Sequence, residues 1–94
     1  MINVEDVKYK VIENYKDGFD EAAFIEKYIK EYFEPYDYII GDWSYDKLRL
    51  KGFYDEKNKK AKAINNYKNI NKYLEDYCAT DCKYYILKKL KEEK

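Results

Sequence analysis

From Lys8 to Lys16, KYKVIENYK, apolar and polar positions alternate, which predicts a strand with Tyr9, Val11, Glu13 and Tyr15 on one face and Ile12 on the other. Asp17 and Gly18 then turn the chain. Asp20 is placed to cap a helix, and Phe19 and Phe24 stand where a hydrophobic staple needs them. The apolar period lengthens to that of a helix through Ile25, Tyr28, Ile29, Tyr32 and Phe33; Glu21 suits its positive end, and Pro35 predicts a stop near Phe33. Tyr38 to Gly41 reads as a short strand, Asp42 to Asp46 as a turn and Lys47 to Tyr54 as the second strand of a hairpin. In that second strand Leu48, Leu50 and Tyr54 fall on one side, with Lys47, Arg49, Lys51 and Phe53 on the other. Asp55 to Lys60 is a polar turn, and Ala61 to Asn65 is too short to assign. Asn66 predicts the cap of a second helix, whose stripe of Tyr67, Ile70, Tyr73, Leu74, Tyr77 and Cys78 ends near Ala79. Cys82 to Leu90 predicts a last strand, with Tyr84, Ile86 and Leu90 opposite Tyr85 and Leu87.

The predicted element order is βαββαβ, which for an α+β chain is most economically layered as a mostly antiparallel sheet with two helices on one face. The pattern leaves the strand order open. Residues 1–94 make one domain, with 1–6 and 91–94 expected to fray.

Composition changes this picture in one respect. Charged residues make up 40% of the chain, against about 25% in average usage, yet aromatics reach 19%, so the charge does not signal disorder. Thirteen tyrosines dominate those aromatics, which predicts a core whose rim carries hydroxyls. The net charge of zero conceals an asymmetry: residues 1–46 hold five lysines against twelve acids, and residues 47–94 hold fourteen basic residues against seven acids. If the fold separates these halves, the second offers a basic surface; interleaved strands would pair the charges instead, and small α+β folds interleave. No apolar run approaches the length of a membrane span and MINVEDVKYK lacks the features of a secretory signal, so a cytoplasmic protein is expected.

Candidate chemistry is sparse. With no histidine, no nucleophile elbow and no glycine-rich phosphate loop, the sequence predicts neither an enzyme nor a bound cofactor, and a four-ligand metal site would be hard to build. Asp42, Asp46, Asp55 and Glu56 are acids at turns, where solvation or capping is the ordinary role and a metal or acid/base cluster the unusual one. Cys78 and Cys82 are four apart rather than in a CxxC pair. Buried packing thiols account for them better than a redox or structural pair, though a bond between them is geometrically conceivable.

The rare residues gather in Gly41 to Tyr54, GDWSYDKLRLKGFY, which holds the single tryptophan (Trp43) and the single arginine (Arg49). In a chain where lysine is the default cation, an arginine suggests a use for its planar fork. Lys51, Gly52 and Phe53 match the opening of an RNA-recognition signature, but Tyr54, Asp55 and Glu56 break it. Arg49, Lys51 and Phe53 with Trp43 and Tyr45 in the turn would still suit phosphate attraction and base stacking. The competing reading has Trp43 covering the end of the core and Arg49 pairing with Asp42 or Asp46, and it is preferred to stacking.

GDWSYDKLRLKGFY, with YDYIIG before it, DGFDEAAF upstream and YLEDYCATDCKYYILKKLK downstream, resembles the YutD-like family of small proteins from low-G+C Gram-positive bacteria. The resemblance covers nearly the whole chain. It implies a cytoplasmic bacterial protein, marks Gly41, Asp42, Trp43, Tyr45, Leu48, Arg49, Leu50, Lys51, Gly52 and Phe53 as signature positions, and raises the prospect of a paired role for Cys78 and Cys82. It implies no activity. The expectation is therefore a non-enzymatic interaction module that binds a protein partner through the Gly41 to Tyr54 hairpin. Trp43, Tyr45 and Phe53 would contribute aromatic contacts, and Arg49 and Lys51 charge-assisted bonds. The alternative is a nucleic-acid-binding or ribosome-associated regulator using the same basic, aromatic face.

Overall fold

A computed structural model describes residues 1–44, 46–77 and 82–90. Five antiparallel strands form one sheet: β1 (Ile2–Val4), β2 (Val7–Tyr15), β3 (Tyr38–Ser44), β4 (Lys47–Phe53) and β5 (Tyr84–Lys89), in the spatial order β1-β2-β5-β3-β4. Helices α1 (Glu21–Lys27) and α2 (Lys30–Phe33) pack on one face, and α3 (Ile70–Tyr77), entered through 3-10 turns at Ala63–Asn65 and Tyr67–Asn69, packs on the other. The α+β class and antiparallel sheet agree with the sequence reading; the βαββαβ order and the placement of both helices on one face do not. The reason lies in the central strands. Tyr38-Ile39-Ile40 and Tyr84-Tyr85-Ile86-Leu87 are unbroken apolar runs, and a strand that is apolar on both sides must be covered on both.

Two cores result. On the α1 face, Phe24, Tyr28 and Phe33 meet Tyr9, Ile39, Leu48, Tyr85 and Leu87; on the α3 face, Ile70 with the partly buried Tyr67 and Tyr73 covers Tyr38, Ile40, Phe53 and Ile86. Tyr38 and Tyr67 stack with ring centroids 3.7 Å apart. Strand β2 serves both faces because its register shifts between Val11 and Glu13. Ahead of that bulge Tyr9 and Val11 point to the α1 face; beyond it Glu13 and Tyr15 lie opposite Ile86 and Tyr84, on the α3 face. Strict alternation had placed all four together.

Residues 1–6, expected to fray, are ordered by a tight hairpin: Ile2 and Val4 are buried in β1, and the connecting Glu5 and Asp6 both adopt positive φ without a glycine to announce it. The first helix starts as expected, with Asp20 Oδ1 accepting from the Ala23 amide at 3.1 Å and the Phe19 and Phe24 rings 6.4 Å apart. It does not run through to Phe33. Tyr28 and Phe33 both belong to the core, yet five residues on a continuous helix turn through about 140° from one another, so only a break directs both inward. Tyr28 and Ile29 take extended φ/ψ values there, and the Tyr28 hydroxyl bonds the Tyr9 hydroxyl in the core at 2.9 Å. Ile29 is left exposed at the start of α2.

The second helical segment is likewise subdivided, since Asn66 caps a 3-10 turn, through its side chain and the Lys68 amide, before α3 begins. The expected end of that helix, at Cys78 and Ala79, lies outside the described residues. Two glycines answer to close approach: a Cβ on Gly41 would overlap the Tyr85 ring, and one on Gly52 the Tyr36 ring.

Candidate protein-binding face

The β3–β4 hairpin closes in the register Ser44↔Lys47, so β3 extends through Asp42, which the sequence had suggested for the turn. Asp42 lies opposite Arg49 on the α3 face and is fully buried, while Trp43 lies opposite Leu48 on the α1 face. The expected grouping of Trp43 with Arg49 and Lys51 is therefore divided by the sheet itself. Trp43 is half-buried, and its indole Nε1–H donates to the Gly18 carbonyl at 2.6 Å, tying the end of β3 to the turn after β2. That is the core-covering role. Phe53, expected on an outward face, is 1% exposed because α3 lies over it. Tyr45 lies outside the described residues.

Arg49 and Lys51 remain. The Arg49 guanidinium donates to Asp42 Oδ2 and pairs with it, and this bond, the main cause, holds the guanidinium pKa above its ordinary value. Its side chain keeps 44% exposure against 1% for Asp42, so one partner is deep and the other presents itself outward. Lys51 is half-buried, its Nζ 5.4 Å from the Phe53 ring centroid and 5.9 Å from that of Tyr73. Both cations are thus held by neighbours, which lowers the entropy that any further contact would cost them.

Beside Lys51 opens a groove of about 440 Å³ between β4, the first 3-10 turn and α3. Ala63, Ile64 and Tyr73 supply apolar wall; Asn69, Lys72 and Asp76 complete the rim. Lys72 and Asp76 form an exposed pair at 3.4 Å. Sequence reasoning missed Ile64, Lys72 and Tyr73 as site residues, though one signal was present: Ile64 is an isolated large apolar residue in the polar stretch Asp55 to Asn65.

The turn acids do not assemble. Asp42 is paired with Arg49, Asp46 and Asp55 lie beyond opposite ends of β4, and Asp55 Oδ1 accepts from the Lys57 amide within its own turn. Among the described residues no group of three or more potential ligands is placed to hold a metal ion. Cys82 is half-buried and disulfide-bonded, not the buried thiol preferred from spacing; Cys78 lies outside the described residues. No described helix is long and apolar enough to cross a membrane.

A family model described as "Putative antitoxin YutD-like" matches residues 3–88. The chain belongs to the YutD-like family. Its relative in Bacillus subtilis (strain 168), named "Putative antitoxin YutD", is 39% identical over 92 residues, covering 98% of this chain and all of the relative. The solution NMR structure of B. subtilis yutD superposes with a TM-score of 0.82 at 38% identity, over all of this chain and 84% of that one.

Proposed function

We propose that this YutD-like chain is a bacterial cytoplasmic protein-binding module that acts by contact and not by catalysis, occupying a surface of a partner protein in the manner of an antitoxin. The observation that carries the reading is the pair Arg49 and Lys51, two residues apart on the α3 face of β4, with Lys51 lining a groove that has an apolar wall. Fixed cations flanking an apolar recess suit a protein surface, where apolar anchors supply affinity and charges supply register. The names of the family model and the B. subtilis relative agree in kind, since an antitoxin acts on a partner. Binding of nucleic acid by base stacking is disfavoured, because Phe53 is buried and Trp43 is on the opposite face from the cations.

The test is affinity capture from the native cytoplasm with nuclease present and absent. It compares wild type with Lys47→Glu, Lys51→Glu and with a control reversed three strands away, on β2, Lys8→Glu, Lys10→Glu. A nuclease-resistant protein retained by wild type and control but lost from the hairpin variant is the expected outcome. A partner that disappears with nuclease, or that the hairpin variant retains, overturns the reading.

A further inference from the structure

We propose that the groove beside β4 seats an acidic segment of the partner, with one apolar side chain entering between Ile64 and Tyr73 and flanking carboxylates meeting Lys51 and Lys72. The inference rests on the reading that this face binds a protein, and names what that protein offers.

Ile64 is the first argument. It is 71% exposed, yet it stands on a scaffold that does not yield: Asn65 Oδ1 accepts from the Lys62 amide at 2.7 Å, Asn69 Nδ2 donates to the Ala63 carbonyl at 3.1 Å, and the Tyr54 amide donates to the Asn65 carbonyl at 2.7 Å. A β-branched side chain carried outward on a bonded backbone adds little to the fold and has few rotamers to lose on contact, which suits an interface anchor. Opposite it Tyr73 packs edge-on against Phe53 at 5.3 Å, so that wall is fixed as well. The volume of about 440 Å³ lies within the range of small binding pockets and admits a large side chain with its neighbours.

Charge selects the occupant. Lys51 and Lys72 outnumber Asp76 around the groove, and Lys47 continues the positive sign along β4, where Arg49 is balanced by Asp42. A second copy docking through this strand would set cations against cations. A phosphate backbone would meet Asp76 and an apolar wall, with no paired stacking aromatics beside them among the described residues.

The experiment displays random twelve-residue peptides against the full-length chain and counter-selects on Lys51→Glu, Ile64→Glu. Both positions reach solvent, and Trp43 fluorescence verifies that the variant is folded. Expected are enriched peptides with an aromatic or large aliphatic residue between Asp or Glu, binding at least tenfold more weakly to the variant. Their amide shifts should centre on Lys51, Ile64 and Tyr73. Basic or uncharged winners, or affinities unchanged in the variant, overturn the proposal. A single-stranded RNA that outcompetes the peptides at equal salt does the same. Peptides that shift only the surroundings of Lys47 and Arg49 refute the groove but leave protein binding standing. Failure of every peptide, together with a Lys47→Glu, Lys51→Glu variant that keeps its cytoplasmic partner, refutes both.

Discussion

Replacing Arg49 with alanine strands the Asp42 carboxylate. That carboxylate is fully buried, Arg49 engages Oδ2, and Oδ1 has no hydrogen-bond partner among the described residues. Breaking a deeply buried ion pair from one side costs about 3–5 kcal/mol. Here the guanidinium side chain is 44% exposed, so water follows where it leaves and screens part of the loss. A cost of about 2–3 kcal/mol is the consequence, and for a domain of this size it lowers Tm by about 10–20 °C. Urea unfolding followed by Trp43 fluorescence measures it, beside Asp42→Asn, Arg49→Met and their double variant. The coupling energy of that cycle should exceed about 1 kcal/mol, because the two groups share one interaction. If Arg49→Ala unfolds within about 0.5 kcal/mol of wild type, or the cycle closes with no coupling, the pair does not support the hairpin and the reasoning is refuted. The result also governs how binding variants are chosen, since Arg49 neutralises a buried carboxylate and Lys47 and Lys51 do not.

Gly41→Ala drives a methyl into the fully buried Tyr85 ring and should cost about 3 kcal/mol; a variant melting within about 2 °C of wild type would contradict that packing. Tyr9→Phe and Tyr28→Phe each orphan the other hydroxyl of a buried pair, at about 1–2 kcal/mol apiece, while the double variant should lose less than the sum in urea unfolding. Strict additivity would count against the bond. Burial first, and then its hydrogen bond with Glu13, pushes the Tyr84 hydroxyl up to about 12 from an ordinary 10.0, and burial raises Tyr9 and Tyr85 further. These groups stay protonated in the fold while the unfolded chain ionises, so stability is intact below pH 10 and drains as pH rises through 12. Tyrosinate absorbance should rise in two phases, the second coinciding with unfolding; one phase for all thirteen tyrosines would refute this.

The local devices with a distinct chemical signature were legible in the sequence. Asp20 and the Phe19–Phe24 staple start α1, the leucines of β4 face a core, and Arg49 pairs with Asp42. What escaped was set by neighbours that no local window contains. The bulge at Ile12 answers to the register of β5, the break at Tyr28 to the hydroxyl of Tyr9, and the burial of Phe53 to a helix arriving from residues 70–77. The same holds for the candidate site. Arg49 and Lys51 were readable as cations on one face of a strand, but Ile64, Tyr73 and Lys72 join them only once α3 crosses the sheet. Two-sided burial of the central strands was nonetheless written in their unbroken apolar runs, which alternation rules passed over.

Strand β5 follows every other element along the chain yet lies between β2 and β3, the middle of the sheet. During synthesis the β1–β2 and β3–β4 hairpins therefore emerge without the strand that joins them, and neither layer can close until residues 84–89 have left the ribosome. A protease that removes those residues leaves two separate hairpins in place of one sheet. Making and losing the sheet thus both turn on one six-residue segment, synthesised after every other described strand and helix.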